Sequence, residues 1–323
     1  MLALQGKLGN AGVARLLNRA RGAPAARAGG GRMLQRFAGP EHESLGNTLH
    51  TNIDLGHGVT LTWGQVLAIA GDEIGTIEEL LDDPATEEGR HRIGASLLNA
   101  ELTGPLPPAL KPTQAQIEAH RTEFERLAFE NADHFPDSGR AIGAWSRHHA
   151  AAITDAISAG FGNSPHGINR AYAREAFGQH FLTDCYSGGH IRTPRGQIID
   201  WYLNWGNQHA DALVDGLSDA LIAELVREAS PQTAIPDAVL RWRIGNRVRP
   251  AITGAITSGF GAMAKFRRLL GLGVGGAISG AIHDTEGAAG VLVGSDDHPE
   301  AWRAYGDGKL TRSPISFQQA ARR

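Results

Sequence analysis

The stretch "EAFGQHFLTDCYSGGHIRTPRG", residues 175–196, places two histidines and an aspartate within eleven residues of a helical pattern that then meets a double glycine. His180 and Asp184 are four apart, so on a helix they lie one turn apart on the same face. Ala173, Ala176 and Phe177 share that face and mark it as the buried one. A histidine and a carboxylate turned into an apolar interior must be paired or bound to something, because an unpaired buried charge is very costly. Gly188 and Gly189 end the helix and let the chain fold back, which brings His190 towards the same point. Imidazole and carboxylate groups at such spacing suit zinc. A hydrogen-bonded His–Asp pair inside a core fits the same spacing.

Other residues could join this chemistry. A helix over 139–160 carries Ile142, Trp145, His149, Ile153, Ala156 and Ile157 on one stripe, so His149 belongs to the apolar face. His148 is turned about 100° from it and reads as a surface residue. His134 stands at a helix end just before Pro136, His42 lies in "GPEHESLG" and Asp72 in "AIAGDEIG". His283, with Asp284, closes a glycine-rich helix. Arg192 and Arg195 follow the double glycine in "HIRTPR"; their guanidinium forks suit phosphate oxygens and surface salt bridges equally. His57, His91, His120, His166 and His298 sit in polar or loop contexts, and His50 and His209 are without assignment.

The elements that must position these groups are helical. Periodicity predicts helices over roughly 63–72, 76–82, 86–100, 113–132, 139–160, 165–187, 206–229, 236–255 and 260–282. Ser164-Pro165 is a helix start, and Ser230-Pro231 a stop. The one strand-like piece, "GVTLTW" at 58–63, has no evident partner. The expectation is an all-α domain over 37–323, with many helices around a buried His/Asp site and an irregular C-terminal tail. Before it, residues 1–36 are basic throughout and without an acidic residue. They read as a flexible leader, a short helix within 8–20 followed by a Gly/Ala linker.

The net charge of -3 gives no global reason to bind nucleic acid or anionic membrane. The single cysteine, Cys185, permits no intrachain disulfide and suits a reducing compartment. The N-terminus lacks the apolar stretch of a secretory signal. The longest apolar and glycine-rich run, 269–282, falls short of the roughly 20 residues that cross a bilayer.

With these positions in hand, the chain resembles the zinc-dependent phospholipase C and single-strand-specific nuclease superfamily. Its members carry H-x3-D-x5-H on a central helix and the loop after it, and "HFLTDCYSGGH" fits without a gap. The phrase "EAFGQHFLTDCYSGGHIRTPR" is similar to a bacterial branch of the superfamily, in which "WGQVLAIAGD", "NADHF" and a late "HD" recur in this order. The resemblance implies an earlier histidine on the metal of the His180–Asp184 pair, a role that suits His149. It implies that His42 holds a further zinc with the shared Asp184, that His134, His190, His283 and Asp284 contribute ligands, and that Asp72, or alternatively Asp133, serves as base or ligand. Two departures stand out. The family's later His-x3-carboxylate is missing, since His209 is followed by Leu213 and His283 by Gly287. The family's free N-terminal tryptophan also has no equivalent unless the leader is cleaved. One to three zinc ions are therefore expected.

The leader, "LQGKLGNAGVARLLNR" with its linker and "MLQR", resembles N-terminal segments of proteins associated with extracellular contractile injection systems. That implies a cytoplasmic toxin or effector loaded into an injection particle and delivered to a target cell. The function expected is a zinc-dependent phosphodiesterase acting on phospholipid or nucleic acid, with Arg192 and Arg195 on phosphate. The alternative is a non-enzymatic structural or membrane-active cargo protein whose metal only staples the fold, with the glycine-spaced helix as its working part.

Overall fold

Hydroxyl side chains open most of the early helices. The computed structural model describes residues 39–322, apart from 103, 131, 258–261, 296–297, 307–308 and 310–311. The expected leader lies outside the described residues. Among them are twelve α-helices and two small antiparallel hairpins, an all-α architecture.

Helix α1 is Gly39–Gly46, followed by strands β1 (Asn52–Gly56) and β2 (Val59–Thr62). Helices α2 (Trp63–Ile69) and α3 (Ile77–Asp82) each begin with a capping box, Thr62 with Gln65 and Thr76 with Glu79. Thr86 caps α4 (Glu87–Asn99). Next come α5 (Gln114–Glu130), α6 (Arg140–Phe161) and α7 (Pro165–Asp184). Ser164 caps α7 through the amide of Gly167, with Pro165 at the first helical position.

The strand at 58–63 has a partner after all. β1 pairs with β2 through a two-residue turn, His57-Gly58, in which both φ values are positive, +52° and +78°. That is the pattern whose twist matches a two-stranded hairpin. In β1 only Ile53 and Leu55 turn inward. Two apolar residues in five are a weak period-2 signal, and that is why the sequence hid the strand.

The main core gathers the hairpin and helices α2 to α4 around α7. Ile53, Leu61, Leu67, Ile69, Ile77, Leu80, Ile93 and Phe177 are all buried there. Each such side chain contributes about 1.5–3 kcal/mol by leaving water. Helix α6 packs on α7 through a face other than the expected one. Ala141, Ala144, Ala152 and Ala159 are buried, whereas Ile142, Ile153 and Ile157 are exposed. The small stripe wins because it lets the two helices approach closely. A Cβ added at Gly178 would stand 2.6 Å from the Cβ of His148, so that histidine lies in the interface, stacked on Phe181.

The second half begins with α8 (Gly188–Arg192), which follows α7 almost directly. Helix α9 (Arg195–Ala229) starts a full three turns before the expected 206, and α10 (Asp237–Thr257) folds back on it. Their contact is a separate small core of Ile222, Val226 and Leu240. The glycine-rich α11 (Ala262–Ala289) crosses α9 where side chains are absent. A Cβ at Gly271 would lie 2.7 Å from the Cα of Leu203, and one at Gly206 2.8 Å from the carbonyl oxygen of Arg267. The glycine spacing is thus explained by close packing. The C-terminal tail, expected to be irregular, contains a hairpin of β3 (Val291–Ser295) and β4 (His298–Ala304), then α12 (Pro314–Arg322).

Candidate metal centre

Four helices and two loops deliver seven ionisable side chains to the base of α7. His180 and Asp184 come from the last turns of α7 itself, His42 from α1, His190 from α8 and His283 from α11. His134 comes from the loop between α5 and α6. Asp72 comes from the turn after α2. All seven are at most 3 % exposed.

The turn that presents Asp72 is tightly specified. Gly71 sits at φ +69°, and a Cβ there would meet His134 Nε2 at 2.7 Å. Conformation and contact both require glycine. The next residue, Glu73, points to the other side, where its carboxylate accepts hydrogen bonds from Asn99 Nδ2 at 2.9 and 3.1 Å and meets His120 Nε2 at 2.8 Å. Glu73 is thereby held to α4 and α5, and fixes the turn from behind. Neither Glu73 nor His120 was singled out by sequence; the adjacency of two acids, one facing each way, was the only signal available.

Asp184 is the hub. Its Oδ2 lies 2.7 Å from His134 Nδ1 and 3.4 Å from His180 Nε2. Its Oδ1 lies 3.3 Å from His42 Nε2 and 3.5 Å from His190 Nδ1. His180 Nε2 and His134 Nδ1 are themselves 2.8 Å apart. Asp72 faces the same two nitrogens, Oδ1 at 3.8 Å from His134 and Oδ2 at 3.6 Å from His180. The ring of His283 stands 4.8 Å from that of His190. Phe135 packs against both of those rings, and Phe181 against His134 and His180, so the cluster has a dry aromatic wall.

The tautomers follow from the partners. His180 Nδ1 is 2.8 Å from the Leu67 carbonyl oxygen, which can only accept, so Nδ1 carries the proton. The Thr183 hydroxyl donates to the His180 carbonyl at 2.8 Å, so it accepts from His42 Nδ1 at 3.1 Å. In the neutral imidazoles of His42 and His180, Nε2 therefore bears a lone pair, and both are aimed at carboxylate oxygens. Lone pair facing lone pair is repulsive unless a cation or a proton lies between. Fixing one ring nitrogen on a protein acceptor while the other points inward is how metal-ligating histidines are oriented. Burial, reinforced by the neighbouring imidazoles of His283, His134 and His180, pushes His190 well below the usual imidazole range and keeps it neutral, as a ligand must be. His42, His180 and Asp184 form one set whose ligand atoms lie within 4.8 Å of one another, and Asp72, His134 and His180 form a second. These buried groups could hold a metal ion.

Not every expected residue is there. His149 was expected on the metal of the His180–Asp184 pair, but the further histidine beside that pair is His134, whose Nδ1 lies against both side chains. His149 lies on the half-exposed side of α6, stacked on Trp145, with Nδ1 2.8 Å from Glu175. Glu175 is nine residues before Asp184 on α7, about 13 Å along the axis. Asp284 is 3.3 Å from Nδ1 of its neighbour His283 and 42 % exposed, so it orients that ring from outside the cluster. Arg195 is buried and its fork is engaged by Ser279 Oγ at 2.7 Å and the Ala128 carbonyl, with its carbon over the Phe135 ring. It braces α9 against α11 and is not placed as a phosphate clamp. Arg192 is exposed on α8. Asp133, the alternative to Asp72, makes a surface salt bridge with Arg147 at 3.2 Å.

The double glycine acts by contact. Both residues open α8, and neither has positive φ. A Cβ on Gly188 would lie 2.4 Å from the Ala304 carbonyl oxygen, and one on Gly189 2.7 Å from the His283 ring. Only glycine lets His190 and His283 come together beneath β4.

Compared with protein-family models, curated proteins and solved structures, the chain matches none. No described helix is long and apolar enough to cross a membrane.

Proposed function

We propose that this chain is a zinc-dependent phosphodiester hydrolase, working in the manner of the phospholipase C and single-strand-specific nuclease superfamily that its sequence resembles. The observation that carries the reading is Asp184: one buried carboxylate with two imidazole nitrogens converging on each oxygen. A set of nitrogens and carboxylate oxygens suits zinc better than calcium or magnesium, which favour oxygen alone. Asp72, His134, His180 and Asp184 Oδ2 would hold one ion; His42, His190 and Asp184 Oδ1, with His283 alongside, would hold another. Zinc at such a centre lowers the pKa of a water to about 7 and polarises a phosphoryl oxygen.

The chain's own residues supply the rest. Asp184 offers one oxygen to each set, so its single charge serves both. Asp72 faces His134 and His180, which makes it a ligand in preference to a detached base. Phe135 and Phe181 exclude water from one side, which strengthens every charge interaction within. Hydrolysis of bis(p-nitrophenyl) phosphate, single-stranded DNA and phosphatidylcholine vesicles by the purified protein tests the proposal. The expected result is turnover of at least one substrate, lost with chelator and restored by zinc. Stoichiometric zinc without turnover of any of them would favour the fold-stapling alternative.

A further inference from the structure

The hairpin of α9 and α10 carries a surface that the metal centre does not use. Helix α10 turns Leu240, Ile244 and Val248 towards α9. On its outward side, at i, i+3 and i+7, stand Val239, Trp242 and Asn246. Val239 is 40 % exposed and Trp242 66 % exposed. Arg243 and Arg247 lie in the row beside them, and Arg241 is exposed as well. Arg249 is held by Asp219 and Asp215 of α9, but Arg241, Arg243 and Arg247 make no ion pair among the described residues. Asp237, the acid at the start of the helix, receives the Ser230 hydroxyl.

We infer that this face of α10 docks on an anionic lipid surface. The two guanidinium groups beside the face, Arg243 and Arg247, make no ion pair among the described residues and call for a polyanion, and the two side chains at its centre call for an apolar phase. Only a membrane interface offers both: tryptophan sits at headgroup level with an aliphatic neighbour beneath it, while arginines meet lipid phosphate and serine carboxylate. A nucleic-acid backbone would meet the arginines and leave Val239 without an apolar partner. In a twofold contact with a second copy of the chain, the same guanidinium groups would face one another across the interface, where like charges repel. Docking is independent of metal and of turnover.

The test is flotation of the zinc-loaded full chain with vesicles of phosphatidylcholine alone and of phosphatidylcholine mixed with phosphatidylserine. Binding is expected to the mixed vesicles only and to weaken as salt is raised. Replacing Arg243→Gln and Arg247→Gln together should weaken it about thirtyfold, the effect of removing two basic residues near such a surface. Trp242→Ala should weaken it tenfold or more. All three side chains are exposed, so unchanged melting temperatures will show that the variants fold. Equal binding to both kinds of vesicle, or variants that bind like the parent, would overturn the inference. So would capture of a single-stranded oligonucleotide by the same arginines with no vesicle binding.

Discussion

Asp184 gathers four imidazole nitrogens because α7 supplies one, α1 and α8 approach from one side, and the α5–α6 loop from the other. The difference between His134 and His149 gives a sharp prediction. His134→Ala should lower metal affinity tenfold or more, since even an outer partner of a ligand costs about 10- to 100-fold. His149→Ala should leave it unchanged, as read by competition with a chromogenic chelator. His180, Asp184 and His190 were legible because spacing on a helix and the turn after it nearly fix their positions. His134 was only one candidate among several because it lies on no helix, and periodicity says nothing about where a loop side chain points. Cys185 neighbours the hub yet is no nucleophile: burial, with Asp184 beside it, pushes its thiol up to about 12. It should resist iodoacetamide at pH 8 in the folded protein and react in denaturant, a contrast that mass spectrometry reads directly.

The elements show where apolar patterning misleads. The isoleucines of α6 form the better hydrophobic stripe, but the alanine stripe is buried, since close packing against Gly178 gains more contact than bulky residues at longer range. His149 followed the isoleucines out of the interior. Gly178→Val should therefore destabilise the fold by about 1–3 kcal/mol through overpacking. Ile153→Ser, at an exposed position, should change it by less than about 0.5 kcal/mol. Denaturant titration of the two variants measures both. The helix start at Ser164 was readable, whereas β1, the early start of α9 and the C-terminal hairpin were not. β1 shows only two inward apolar residues, Ile53 and Leu55, and the start of α9 is held at Arg195 by Ser279 and the Ala128 carbonyl, both distant in sequence. The double glycine was recognised as a break, but its reason, the carbonyl of Ala304 at 2.4 Å from a Cβ, belongs to a strand more than a hundred residues away.

At the scale of the whole molecule, the site and the stability are coupled through protons and metal. In the metal-free protein His190 is neutral and buried, with its pKa well below the 6.5 that applies unfolded. Below about pH 6.5 the unfolded chain takes up a proton that the native state does not. Stability should then fall with falling pH, by about 1.4 kcal/mol per pH unit for each such group, and level off near neutrality. Urea titrations of chelated protein across that range check the sign. Metal adds to the native state by mass action, about 2.7 kcal/mol at a hundredfold excess over Kd. For a chain of 323 residues that corresponds to about 4 °C in Tm. The most direct test is therefore metal content together with melting curves, with and without chelator, for the parent and for Asp184→Asn. Bound zinc, a chelator-dependent drop in Tm for the parent, and an Asp184→Asn curve close to that of the chelated parent are the expected results. A parent that retains no metal after incubation with zinc, and melts identically with and without chelator, would contradict the metal centre.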